Sequence, residues 1–192
     1  MLRTLLLTTS SLALVGCATG SVDAPNAPIA AGSNRAFAHT LNTDAPASAI
    51  WAVWTDVTAW PDWDTELVSA TLDGPFREGA QGRLTPVSGP SSRFVIEDVE
   101  PGQAYTLATR LPLGRLRVRR TLSEVDSVAF THAVTFEGFG GWLLRGRLGP
   151  RFRRALPLAM ARLRHIAEQG VEAGSEIDSG EEHRPGNREA DS

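Results

Sequence analysis

The chain predicts an α+β domain: one strand, two short helices, six antiparallel strands and a long terminal helix that covers the sheet. Three observations carry this. Apolar residues alternate from Arg35 to Thr43, strand-length pieces separated by turn residues fill the stretch to Gly138, and apolar residues recur at helical spacing after Gly140-Gly141. The short links favour antiparallel neighbours, because a parallel pair needs a long crossover. A lone long helix after a run of strands has only the sheet against which to bury its stripe.

Ahead of the domain lies a segment with the layout of a secretory signal. Arg3 precedes an uncharged stretch from Leu5 to Val15, which ends in Leu14-Val15-Gly16-Cys17. The stretch is too short to cross a bilayer core of about 30 Å. It resembles a bacterial lipoprotein signal with its lipobox, which implies cleavage before Cys17 and acylation of that cysteine and its new amino terminus. Residues 1–16 are then the signal peptide. Lipidated Cys17 and the small, Pro-containing residues 18–34 form a flexible tether spanning on the order of 20 Å. The implied location is the cell envelope, as a membrane-anchored lipoprotein at the periplasmic face or the outer membrane. Cleavage without lipidation, giving a secreted protein, is the alternative. Cys17 is the only cysteine, so intrachain disulfides are excluded.

In the first strand Phe37, His39 and Leu41 alternate with Ala36, Ala38 and Thr40. Asp44 is expected to cap and Pro46 to open a helix with Ile50, Val53 and Trp54 on one face. Trp60-Pro61-Asp62-Trp63 reads as a second, short helical turn. Turn residues at Asp73-Gly74-Pro75, Ser88-Gly89-Pro90, Glu100-Pro101-Gly102, Pro112 to Gly114 and Asp126-Ser127 then divide the chain. They leave strands near 66–72, 80–87, 92–99, 103–111, 114–124 and 127–137. Phe152, Leu156, Met160, Leu163 and Ile166 mark the buried stripe of the terminal helix. Gly149-Pro150 is expected to bend or restart that helix and Pro157 to kink it. The domain thus occupies 35–173, and the acidic residues 174–192 read as a disordered tail.

Composition sets the remaining bounds. An apolar fraction of 42% and a charged fraction of 21% are those of a globular chain. All 19 basic residues are arginines, and residues 35–173 carry 16 of them against 15 acidic residues. A nearly neutral domain with a net chain charge of −3 argues against a nucleic-acid partner. Four dispersed histidines and one cysteine give no metal-ligand spacing, and no cofactor is expected.

Four segments carry a family likeness: Pro46-Ala-Ser-Ala-Ile50-Trp51-Ala-Val53-Trp54-Thr-Asp56, Trp60-Pro61-Asp62-Trp63, Gly79-Ala-Gln-Gly82 and Leu156-Pro-Leu-Ala-Met160-Ala-Arg-Leu163-Arg-His-Ile166-Ala-Glu168. With the order of elements they resemble the SRPBCC superfamily, the helix-grip fold of START lipid-transfer domains, birch pollen allergen relatives and polyketide cyclase/dehydrase-like proteins. The resemblance covers nearly the whole folded region. It implies a sheet of about seven strands curved around the terminal helix, with an apolar cavity between them for a lipid or another hydrophobic molecule. These segments mark the fold, and no Asp, Glu and His set in the chain matches a defined cyclase motif.

The residues expected to bind a ligand in that cavity are Trp63, Phe94, Tyr105, Arg120, His132, Phe136, Leu156 and Met160. His132 shares a strand face with Phe130, Val134 and Phe136, where a neutral imidazole can bond a ligand carbonyl, act as a base or simply be satisfied by a neighbour. Arg115, Arg117 and Arg119 share one face of their strand and read as solvated. The same counting turns Arg120 inward, where a guanidinium needs a carboxylate from protein or ligand. Arg145, Arg147, Arg151, Arg153 and Arg154, near Trp142, suit either solvent or anionic lipid headgroups. Trp51, Trp54, Trp60 and Trp63 read as packing for the small helices. No catalytic residue is assigned. The sequence reads as a membrane-anchored binder or transporter of a lipid, isoprenoid or polyketide-like molecule, with a cyclase/dehydrase-type enzyme as the alternative.

Overall fold

Residues 36–112 and 114–181 are described by the computed structural model. Seven strands form one antiparallel sheet in the order β1-β7-β6-β5-β4-β3-β2. Their bounds are β1 Ala36–Thr43, β2 Leu67–Leu72, β3 Gln81–Pro86, β4 Ser92–Glu100, β5 Ala104–Leu111, β6 Gly114–Glu124 and β7 Val128–Glu137. From β2 to β7 each strand pairs with the next, as short turns dictate, and β1 closes the far edge against β7. The turn residues thus locate each of these strands to within one residue.

The chain passes from β1 to β2 through α1 (Ala47–Thr55), a 3-10 turn at Val57–Ala59 and α2 (Trp60–Trp63). Asp44 does not cap α1. Pro46 holds the N-cap position without a side-chain bond, and the loop is stitched down instead by Thr43 and Glu168. Thr43 Oγ1 donates to Glu168 Oε1 at 2.9 Å and accepts the Ala45 N–H at 3.1 Å, while the Asp44 N–H also reaches Glu168 Oε1. The carbonyl of Trp54, near the open end of α1, accepts bonds from Trp60 Nε1 and Tyr105 Oη.

The long helix α3 (Gly141–Glu181) contains Pro150 and Pro157 and remains one element, so the expected restart at Gly149-Pro150 does not occur. Packing after each proline outweighs the lost backbone bonds: the Phe152 ring meets Phe136 at 5.9 Å, and Met160 and Leu163 are fully buried. Gly149 has a different use. A Cβ there would lie 2.6 Å from the Phe37 ring, so its absence lets α3 close onto β1. The helix continues to Glu181, past Ala173; residues 1–35 and 182–192, with the Cys17 signal and most of the acidic tail, lie outside the described residues.

On the outer face of the sheet the arginines of β6 are ion-paired, across β5 to β4 and in one case to neighbouring β7. Arg115 bonds Glu97, Arg117 bonds Asp98 at 2.5 Å and Glu137 at 3.4 Å, and Arg119 bonds Glu100 at 2.7 Å. They bridge over Ala104, Thr106 and Ala108, whose small side chains are buried beneath. A β-bulge makes this possible. The β4–β5 register shifts between Glu97 and Glu100, and Asp98 adopts φ 50°. Strict alternation after Phe94 and Ile96 would turn Asp98 into the core; the extra residue sends it outward and lets Val99 pack inside. Exposed pairs of this kind contribute about 0–1 kcal/mol each, so the ladder chiefly shields β5.

Candidate functional site

A cavity of about 1280 Å³ lies between the first half of α3 and strands β3 to β6. Its walls are mainly apolar, with Leu84, Phe94, Leu107 and Val118 from the sheet and Leu148 and Phe152 from the helix. It stops where α1 and α2 begin to fill the space: Trp54, Trp60 and Trp63 pack with Met160 and Leu163 into one close core. One wall depends on a missing side chain. Gly82 faces Phe94 across β3 and β4, and a Cβ at Gly82 would sit 2.4 Å from Phe94 Cζ and 2.2 Å from Thr71 O. The ring therefore lies flat over the glycine, 5.5 Å from Trp60.

At the floor of the cavity is Arg120, buried to 4% exposure and turned inward as the alternation of β6 predicts. Its guanidinium lies 4.8 Å from the ring centres of Trp60 and Trp63 and 5.4 Å from that of Tyr105. It donates one hydrogen bond, to Tyr105 Oη, and its Nε has no partner. Among the described residues no carboxylate comes within ion-pair distance. Each desolvated cation–π contact is worth about 2 kcal/mol, against a burial cost of several kcal/mol for an ion. The rings hold the charge in place and leave it uncompensated.

Two further polar groups face the same space. Thr109 is buried, and its hydroxyl, one residue pair beyond Leu107 on the inner face of β5, has no partner. Asp64 stands at the wall with its Oδ1 accepting the Glu66 N–H at 3.1 Å. Burial pushes its carboxyl above the usual carboxylate range, opposed by that hydrogen bond and by the charge of Arg120. Burial likewise raises the Tyr105 hydroxyl against the pull of Arg120. At the rim Arg151 clamps α3 to Glu66 and Ser88.

Of the eight residues the sequence nominates, Phe94 and Arg120 line the cavity and the other six do not. Trp63 and Tyr105 stand behind Arg120 and support it. Phe136 sits edge-on to Phe37 and Phe152, Leu156 packs half-buried on the core, and Met160 is fully enclosed in it. His132 is buried among Trp54, Trp63 and Phe130, off the cavity wall. Leu107, Thr109, Val118, Leu148 and Ala155 are wall residues that the sequence reading did not nominate. Alternation along β5 and β6 supplies the signal for the strand residues, since 107 and 109 share a face with Tyr105 and 118 shares one with Arg120. Among the described residues no group of three His, Cys, Asp or Glu is disposed to hold a metal ion.

His132 gives a pH signature. Burial, then the charges of Arg120 and His39, hold its pKa well below the ordinary histidine value of 6.5, and Nε2 has no partner. Below pH 6.5 the unfolded chain therefore binds a proton that the folded chain refuses, so stability is full above that pH and falls as the pH drops. The slope approaches 1.4 kcal/mol per pH unit for one such group. Asp64, raised in the fold, acts in the opposite direction at lower pH, from its folded pKa down toward 3.8. Thermal melts at pH 7.5 and pH 5.5 should show the wild type losing several degrees. His132→Phe should lose markedly less, and an equal loss in both would exclude His132 as the source.

A curved sheet gripping a long helix around an apolar cavity defines an SRPBCC-type, helix-grip protein. The chain belongs to the polyketide cyclase/dehydrase and lipid transport family, whose sequence profile matches residues 35–168. Among solved structures the fold is similar to a protein from Nitrosomonas europaea, with a TM-score of 0.59 at 12% identity over 73% of this chain and 98% of that one. It is also similar to a Mesorhizobium loti protein (TM-score 0.57, 15% identity, 70% and 98% covered). A third is StfQ, a di-domain ARO/CYC from the steffimycin biosynthetic pathway (TM-score 0.57, 12% identity, 72% and 53% covered). At such identities the likeness is one of fold alone. No curated protein matches the chain in sequence.

Proposed function

We propose that this protein binds and carries a hydrophobic small molecule of the lipid, isoprenoid or polyketide-like kind in the cavity under α3, anchored in the cell envelope by lipidated Cys17. The observation that carries the reading is the apolar cavity of about 1280 Å³ with a few polar groups, Arg120 and Thr109 foremost, at its wall. Sites for small molecules have this composition. Carriage is favoured over turnover because His132, the candidate base, sits behind Trp54 and Trp63. The cyclase/dehydrase reading is favoured by Asp64, a cavity carboxyl with a raised pKa near a guanidinium. Among the described residues no helix is long and apolar enough to cross a membrane, so the anchoring rests on the sequence before the domain.

Native mass spectrometry of the chain extracted from its membrane tests the proposal. The expected result is added mass from an apolar species that can be removed, restored and recovered unchanged. A restored guest recovered with altered mass would instead favour the enzyme. A chain that carries nothing and refuses every apolar probe would dismiss both readings.

A further inference from the structure

We propose that the guest is an amphiphile with a single carboxylate, and that it enters head-first and seats this group on Arg120 at the cavity floor. The inference rests on the reading that the cavity holds a hydrophobic molecule, and it adds the chemistry of the guest's polar end. Arg120 is the argument. A guanidinium stays charged at any physiological pH and presents a planar fork of donors that matches a carboxylate. Here it is 4% exposed, faces the cavity, spends one donor on Tyr105 Oη and keeps Nε unpartnered, with no carboxylate at ion-pair distance among the described residues. Asp64, on the same wall, has one oxygen engaged by the Glu66 N–H. Trp60 and Trp63 fix the guanidinium over their faces, so the donor fork is oriented before any guest arrives.

The surroundings agree. On the cavity side two carboxylates, Asp64 and Glu66, stand among Arg120, Arg147 and Arg151, and Glu66 is already paired with Arg151. Arg147, an exposed rim residue on the cavity side of α3, has no carboxylate partner among the described residues. The entrance therefore carries an unpaired cation, which draws anions and repels amines. Between entrance and floor the walls are apolar, with Thr109 Oγ1 as a second unpartnered polar atom. One acidic group on an apolar body satisfies every one of these features; a neutral lipid leaves the buried cation as it is.

Fluorescent cis-parinaric acid and its methyl ester are the probes, titrated against the full-length chain carrying Cys17→Ser so that no acyl chain of its own competes. The acid should bind about 10- to 100-fold more tightly than the ester, the range of a charge-assisted hydrogen-bonded pair. Arg120→Met should erase that preference by weakening the acid alone. Should this variant fail to fold, displacement of the ester from the Arg120 protein decides: palmitate should displace best, hexadecanol less well and hexadecylamine worst. Arg147→Gln should slow association and keep the preference for the acid. Ester binding as tight as acid leaves carriage standing and overturns the carboxylate seat. So does a preference that survives Arg120→Met and vanishes with Arg147→Gln. A chain that binds neither probe overturns the hydrophobic-guest reading itself.

Discussion

Tryptophans placed at Ala155 and Val118, on facing walls of the cavity, are expected to lower the affinity for an apolar probe at least about tenfold and leave the melting temperature nearly unchanged. Ala155 is a half-buried helix residue and Val118 a half-buried strand residue, and both line open space. An indole added there enters space that no protein atom occupies, so the overpacking penalty of about 1–3 kcal/mol does not apply. Met160→Trp is the contrasting change. Met160 lies five residues further along the same helix, at 0% exposure within the Trp54, Trp60 and Trp63 core. The added volume there has nowhere to go, and the full penalty is expected as a fall of roughly 2–4 °C per kcal/mol for a chain of this size. The double tryptophan variant retaining wild-type affinity would move the guest elsewhere. A Met160→Trp variant melting like the wild type would mean that the core is looser than its burial indicates.

The same pair of sites shows what the sequence discloses. Phe152, Leu156, Met160 and Leu163 form one helical stripe, and the spacing identifies it as the buried face. It does not say where the face touches the sheet and where it stands away. That depends on what α1 and α2 bring to one end of the sheet: three indoles at Trp54, Trp60 and Trp63 fill the space beneath Met160 and leave the space beside Ala155 open. Strand bounds were legible because each turn carries Gly, Pro, Asp or Ser, residues with a conformational reason to be there. Arg120 was legible because alternation along β6 sets it between Val118 and Leu122 on the inward face, a charged residue flanked by apolar ones. The bulge at Asp98 was not, since alternation cannot register an inserted residue. Nor was the replacement of an Asp44 cap by Glu168, a partner 124 residues away that only the closed fold brings near.

Cys17→Ser is expected to release the domain from membranes and to abolish labelling by a palmitate analogue. Acylation at the sulfur and the new amino terminus supplies two or three chains, each methylene contributing about 0.8 kcal/mol once buried; one chain alone is marginal. The loss should therefore be nearly complete. What remains is a weak contact that the fold itself supports. Phe139, Trp142 and Leu143 are exposed around the start of α3, next to the cavity wall at Leu144 and the unpaired rim residue Arg147. An aromatic belt with a cation suits a bilayer interface, at about 1 kcal/mol per arginine near an anionic surface, and salt screens it within a Debye length. The wild type should thus stay with membranes in high salt, whereas Cys17→Ser should bind anionic vesicles only at low salt and lose that binding with Trp142→Ser. Full retention of Cys17→Ser in high salt would remove the lipid anchor from the account, and undiminished vesicle binding by the doubly substituted chain would remove the α3 patch.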